Sequence, residues 1–349
     1  MADLNGDRDD LLVLRGEEVR SLLTGREQEI IELMKSAYVA HGEGRSALPH
    51  SVFLRFPGEQ QSRIIALPAY LGLADGIAGL KWVSSFPQNL AHGLDRASAV
   101  VILNSPETGR PQVLLEGSLI SAKRTAASSA LAAKYLQTDK NIDCLGLIGC
   151  SLINFEILRF LMTLFPHVQQ LIIYDIVPSQ ARQFQLRCQS LYEGLQVKVA
   201  EESKTVLREA LLISLATTAM EPHIFDLSPC LPGSTILHVS LRDLGAEAIL
   251  ACDNVVDDID HVCRAQTSIH LAEQLVGHRG FIRCTLADVL TGKTSARRHD
   301  ESIAVFSPFG LGILDIALAK FITDVARQQG MGTLVTSFLP GSWVSQERS

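Results

Sequence analysis

Residues 145–155 read LGLIGCSLINF: an apolar run enters a glycine turn and leaves as a helical segment, NFEILRFLMTLF. No other stretch constrains the chain as strongly. A strand, a tight turn and a helix start together place a pyrophosphate at a helix N-terminus in a Rossmann unit. A full G-x-G-x-x-G needs glycine at 151 and a small residue at 154, where this chain carries Ser151 and Asn154. Ser151 puts a side chain where backbone meets phosphate, yet its hydroxyl can also bond a phosphate oxygen, and both readings stand open. Gly149 supplies the first glycine, and Asp175, ending the strand QLIIYD, supplies the acid that takes ribose hydroxyls.

From 144 onward the pattern alternates: CLGLIGC, a helix, QLIIYD, a helix through QARQFQLRCQSLYEG, QVKVA, a helix, ALLISLATT, STILHVSLRDL and NVVDD. Such alternation predicts a parallel sheet with helical crossovers. The portion before it is strand-rich. Residues 63–83 read as strands broken by a Pro-Ala-Tyr turn and glycines, followed by the strands SAVVILN and PQVLLEG. Between the two portions, SLISAKRTAASSALAAKYL favours one long helix with small side chains. The last helix, ILDIALAKFITDVARQQG, ends at Gly330.

At 349 residues, 47% hydrophobic and 20% charged, the chain can bury two cores. The fold class expected is α/β: a Rossmann-type dinucleotide-binding domain over 138–312 plus an α+β substrate and dimerisation domain from 1–137 and 313–349. A net charge of −7 without a basic run argues against nucleic acid and membrane surfaces as partners and leaves small polar ligands. The start, MADLNGDRDD, has no apolar targeting run. Seven scattered cysteines without C-x-x-C imply reduced, mostly buried thiols of a cytoplasmic protein, with no zinc ribbon.

Three positions carry candidate chemistry. Lys81 in GLKWVSSFPQN and Arg124 in SAKRTAA suit the carboxylate of an amino-acid substrate, or are solvated surface cations. Asp243 in HVSLRDLG follows a strand of the parallel sheet, at the end where open α/β sheets bind ligands. There it serves as an acid/base or simply as a turn-forming Asp. The cluster VVDDIDH reads as the acidic start of a helix, DHVCRAQTSIHLAEQL, rather than as a metal site; no metal is expected.

With EGSLISAKRTAASSALAAKYL, KWVSSFPQN, GRPQVLLEG, ATTAMEP and FSPFGLGILDIALA, the chain resembles the ornithine cyclodeaminase/mu-crystallin family over nearly its whole length. IALPAYLG, RASAVVILN and HVSLRDL are similar to the branch that makes 2,3-diaminopropionate for siderophores and peptide antibiotics. That branch oxidises, with NAD, the amine linking glutamate to diaminopropionate. The resemblance implies NAD as cofactor, a homodimer, and substrate carboxylates on Lys81 and Arg124, with Arg124 also near the cofactor. It implies Asp243 as the catalytic aspartate. Gly149, Ser151, Leu152 and Ile153 fall in the phosphate turn and Asp175 at the ribose. Thr217, His238, Val239, Ser240 and Leu244 fall around the nicotinamide, with Ser307 as a C-terminal cofactor contact. A cyclodeaminase turning ornithine into proline, or an inactive ligand-binding member, are the alternatives. The departure from the family pattern is Ser151, where a second glycine normally stands.

Overall fold

Eight strands, all parallel, form the sheet that the alternating sequence predicts. The computed structural model describes residues 9–73 and 76–340. Across this sheet the strands run Gln196–Val199, Gln170–Tyr174, Cys144–Ile148, Leu212–Leu215, Thr235–His238, Ala304–Ser307, Asp253–Val256 and Ile282–Thr285. The first three are laid down outward from Cys144–Ile148, and the chain then crosses to Leu212–Leu215 on its other side. The strand order therefore reverses between those two neighbours, and ligands of open α/β sheets bind at such a crevice. Most strands are short and buried on both faces, for instance all four residues of Leu212–Leu215 and of Asp253–Val256, as a sheet covered by helices requires.

The chain divides into two compact units: Met1–Arg26, Glu43–Arg124 and Leu311–Ser349 in one, Glu27–Gly42 and Thr125–Gly310 in the other. The second holds the parallel sheet and also takes in the helix Glu27–Gly42. The long helix Ser118–Leu136 begins in the first unit's span and ends in the second's.

The first unit is built on a second eight-stranded sheet. It runs Thr333–Val335, Leu11–Leu14, Pro111–Glu116, Ala97–Asn104, Ile77–Ser85, Glu59–Leu71 and Ser46–Ala47, with Val52–Phe56 also on Glu59–Leu71. No turn interrupts Pro68-Ala69-Tyr70: Glu59–Leu71 is one strand of 13 residues. Pro68 is tolerated because it lies at the gap between Val52–Phe56, which pairs up to Ala66, and Ser46–Ala47, which pairs from Tyr70. On that edge no ladder partner stands to miss an N–H, while on the other edge Pro68 pairs with Leu80.

Strand alternation sorts the side chains of this sheet. Val52, Ala66, Trp82 and Val100 lie in one cross-strand row, and Val52, Trp82 and Val100 of that row are exposed. One residue along, Leu67, Lys81 and Val101 form the next row, and all three are buried. The helix Gly312–Gln329 packs on this inner face. It approaches closely because a Cβ at Gly312 would stand 2.9 Å from the Leu67 carbonyl oxygen.

One predicted helix of the second unit is two. Ile259–Val262 and Ser268–Val276 are separated where Ala265 and Gln266 take positive φ, 54° and 56°. Thr267 then caps the second helix, its hydroxyl accepting from the His270 amide at 3.0 Å.

Candidate functional site

The glycine turn joins Cys144–Ile148 to the helix Leu152–Leu164. Gly149 has φ +94°, and a Cβ there would stand 2.4 Å from the Ala216 carbonyl oxygen, so only glycine fits. Ser151 is the N-cap with φ −117° and ψ 178°, ordinary extended backbone that does not call for glycine. Its hydroxyl makes no capping bond, and both Ser151 and Leu152 are exposed. The amides of this first turn have no carbonyl partners within the helix, and their positive end suits an anion. A dinucleotide pyrophosphate therefore fits this turn.

Asn154, where the fingerprint has a small residue, is fully buried. Its amide donates to the carbonyls of Ile148 at 3.0 Å and Gly149 at 2.7 Å, and its oxygen accepts from Ser214 Oγ at 2.7 Å. The side chain thus ties the turn to both strands flanking the crevice. Asp175 accepts from the Cys150 amide at 2.7 Å and the Val177 amide at 2.9 Å.

At the carboxyl ends of the next two strands, Asp243 gathers donors. It is fully buried, its Oδ1 meeting His223 Nε2 at 3.1 Å and the Thr217 hydroxyl, and its Oδ2 meeting the Ser240 hydroxyl. His238 Nε2 lies 3.4 Å from Oδ2, and His238 Nδ1 pairs with Ser307 Oγ at 3.2 Å. Burial works against the charge, but hydrogen bonds from His223 and Ser240, with His238 beside them, outweigh it and hold the carboxyl well below the usual carboxylate range; His238 Nε2 accepts from the Asp243 amide at 3.2 Å. The amides of Val239 and Ser240 both donate to the Leu215 carbonyl, at 3.0 and 3.1 Å. Leu244 is buried in the apolar core of the unit. Leu241 holds φ +70°, rare for a branched side chain, and its carbonyl accepts from the Ser268 amide at 2.7 Å.

In the first unit, Lys81 and Arg124 meet over Asp315. Lys81 Nζ lies 2.8 Å from Asp315 Oδ2, and Arg124 Nε donates to Oδ1 at 3.0 Å. Ser121 Oγ accepts from Lys81 Nζ at 3.1 Å. Neither cation is a solvated surface group: Lys81 is 2% exposed and the Arg124 side chain 11%. Burial, then the Arg124 charge, push the Lys81 ammonium down to about 8 against the pull of Asp315. Two cations on one carboxylate leave a surplus positive charge, which a substrate carboxylate can use.

Sequence reasoning missed His223 and Asp315. The signal for Asp315 was present, a lone acid in the apolar run FGLGILDIALA; His223 in EPHIF carried none. The VVDDIDH acids behave as helix-start and anchoring groups. Asp258 caps Ile259–Val262, and the buried Asp257 accepts from the amides of Phe309 at 2.9 Å and Gly310 at 2.7 Å. Among the described residues no cluster suits a metal ion, and no helix is long and apolar enough to cross a membrane. The seven thiols are free, six of them buried.

The family model described as the Ornithine cyclodeaminase/mu-crystallin family matches residues 11–330. The chain is 30% identical over 338 residues to the N-((2S)-2-amino-2-carboxyethyl)-L-glutamate dehydrogenase of Staphylococcus aureus, covering 94% of this chain and 99% of that one. The structure of Thermococcus litoralis Delta(1)-pyrroline-2-carboxylate reductase with NADH and L-proline matches with a TM-score of 0.85 at 27% identity, covering 92% and 99%. An archaeal alanine dehydrogenase dimer with bound NAD matches with a TM-score of 0.84 at 28% identity, covering 94% and 99%.

Proposed function

Since the chain belongs to the ornithine cyclodeaminase/mu-crystallin family, we propose that it oxidises N-(2-amino-2-carboxyethyl)-L-glutamate to 2,3-diaminopropionate and 2-oxoglutarate. It is an NAD-dependent enzyme acting on a C–N bond of an amino acid, with a Rossmann-type fold. The choice of substrate rests on the full-length match to the Staphylococcus aureus dehydrogenase. In this reading the product serves siderophore or peptide natural-product assembly.

The observation that carries catalysis is the charged, buried Asp243 at the carboxyl edge of the parallel sheet. It stands beyond the strand next to Leu212–Leu215, whose following residue crowds Gly149. When bound, NAD accepts the hydride from the carbon that bears the amine. The amides at Ser151, Leu152 and Ile153 receive pyrophosphate beside Gly149, and Asp175 receives the ribose. Thr217, His238, Val239, Ser240, Leu244 and Ser307 shape the walls around the nicotinamide, chiefly by backbone where the side chain is buried. Lys81 and Arg124 hold substrate carboxylates, Arg124 also serving the cofactor, and Asp243 stabilises positive charge on the substrate nitrogen. An inactive ligand-binding member is disfavoured, because Ser151 needs no glycine backbone and Asn154 braces the turn.

The first unit is read as the substrate and dimerisation domain, and the second as the dinucleotide-binding domain. A homodimer is supported by the exposed apolar row of Val52, Trp82 and Val100.

The test is a rate of NADH formation from N-(2-amino-2-carboxyethyl)-L-glutamate, with L-alanine and L-ornithine in parallel and products identified by mass spectrometry. NADH and 2-oxoglutarate in equal amounts from the first compound are expected. Proline from ornithine without net NADH would replace this reading with the cyclodeaminase one.

A further inference from the structure

We propose that His223 is the proton carrier of the reaction, and that Asp243 orients it and stabilises its imidazolium. The inference rests on the dehydrogenase reading above and adds a group to it.

The geometry is built rather than incidental. The amides of His223 and Ile224 both donate to the Asp243 carbonyl at 2.9 Å, and the Gly245 amide donates back to the Ile224 carbonyl at 2.8 Å. Two loops at the carboxyl edge of the sheet are thereby laced together, and the lacing fixes where the His223 ring starts. Its Nε2 then meets Asp243 Oδ1 at 3.1 Å. Because a carboxylate only accepts, Nε2 carries the hydrogen and the lone pair is left on Nδ1. That nitrogen has no protein partner among the described residues, and the side chain is 41% exposed, open to water and ligand. A buried carboxylate, an imidazole held by it and a free ring nitrogen are the base-and-orienter arrangement of acid–base enzymes.

Asp243 is poorly suited to carry the proton itself. Its oxygens are occupied by His223, Ser240 and Thr217, and those bonds favour its charged form. An imidazole is the side chain that exchanges protons readily near neutral pH.

After hydride leaves to NAD, the substrate is an iminium ion. Nδ1 takes a proton from water as the water oxygen bonds to the iminium carbon, giving a neutral carbinolamine and an imidazolium. The imidazolium returns that proton to the nitrogen as the C–N bond breaks. The carbinolamine hydroxyl proton passes through the same ring to the departing amine, so 2-oxoglutarate and the ammonium form of 2,3-diaminopropionate leave and His223 ends neutral.

Rapid mixing of the protein with NAD and N-(2-amino-2-carboxyethyl)-L-glutamate tests this. In His223→Ala and His223→Gln the first turnover of NADH is expected near the wild-type rate, with steady turnover slowed about 100-fold or more. Added imidazole is expected to restore part of the rate in His223→Ala, a rescue that a merely structural role would not give. Nitrogen-15 NMR of the protein alone is expected to show the Nε2–H tautomer of His223, and to lose that preference in Asp243→Asn. Unchanged steady turnover in both variants, or an Nδ1–H tautomer in the wild type, overturns the proposal. If the wild type makes no NADH from this amine, the substrate reading fails, and the tautomer still decides whether His223 and Asp243 form the pair.

Discussion

Asn154 holds the carbonyl oxygen of Gly149 at 2.7 Å, so the residue that breaks the fingerprint is the one that braces its first glycine. The same amide reaches Ile148, and Ser214 completes the network from the neighbouring strand. Replacing Asn154 with Leu leaves the Gly149 carbonyl and the Ser214 hydroxyl without this partner, while the Ile148 carbonyl keeps the Ala216 amide, at roughly 1–3 kcal/mol for each group left unpaired. We expect Asn154→Leu to lose about 3 kcal/mol in urea unfolding and to bind NAD more weakly. Unaltered unfolding would mean the network contributes nothing.

Ser151 lies in extended backbone with a free hydroxyl, so glycine has no conformational advantage there. Isothermal titration of wild type and Ser151→Gly with NAD should give dissociation constants within about threefold of each other, a difference below 1 kcal/mol. A tenfold gain in the glycine variant would show that the serine side chain obstructs the phosphate.

Lys81 is charged below about pH 8 and neutral above it, because burial and the Arg124 charge lower its proton affinity. Its hold on a substrate carboxylate should therefore weaken as pH rises through about 8, well before an exposed lysine would lose its charge near 10.4. The KM for the amine substrate, followed from pH 7 to 9.5, should climb in the wild type. A flat profile would remove Lys81 from substrate binding.

Asp315 pairs with both Lys81 and Arg124. Asp315→Asn leaves two buried cations facing each other, and breaking a buried ion pair costs about 3–5 kcal/mol. We expect a large fall in melting temperature, with partial recovery in Lys81→Met/Asp315→Asn, where one of the two charges is also gone. No recovery would mean that Asp315 matters for packing rather than for charge.

Trp82 stands in the exposed apolar row with Val52 and Val100. Sedimentation should find a dimer for the wild type and a shift toward monomer for Trp82→Glu. A wild-type monomer would end the dimer reading.

Periodicity made six of the eight parallel strands legible, because most of them are short apolar runs; Ile282–Thr285 and Ala304–Ser307 were not read as strands. It failed where local signals and tertiary partners disagree. Pro68 looks like a turn until the gap beside it is seen, and DHVCRAQTSIHLAEQL looks like one helix until Ala265 and Gln266 reverse the chain. Asp243 was legible from its position after a strand, but its partners were not. His223 is separated from it by 20 residues, and Asp315 by 191 from Arg124. No spacing rule connects residues that meet only through the fold.

The left-handed Leu241 carries a practical lesson for anyone searching for altered activity. Its carbonyl is held by the backbone N–H of Ser268, so the loop bearing Asp243 is tethered by an atom every residue except proline possesses. Screens that exchange side chains at 268 would report the tether as absent, whereas a proline there would remove this one tie and leave the lacing of Asp243 to His223 and Ile224 in place.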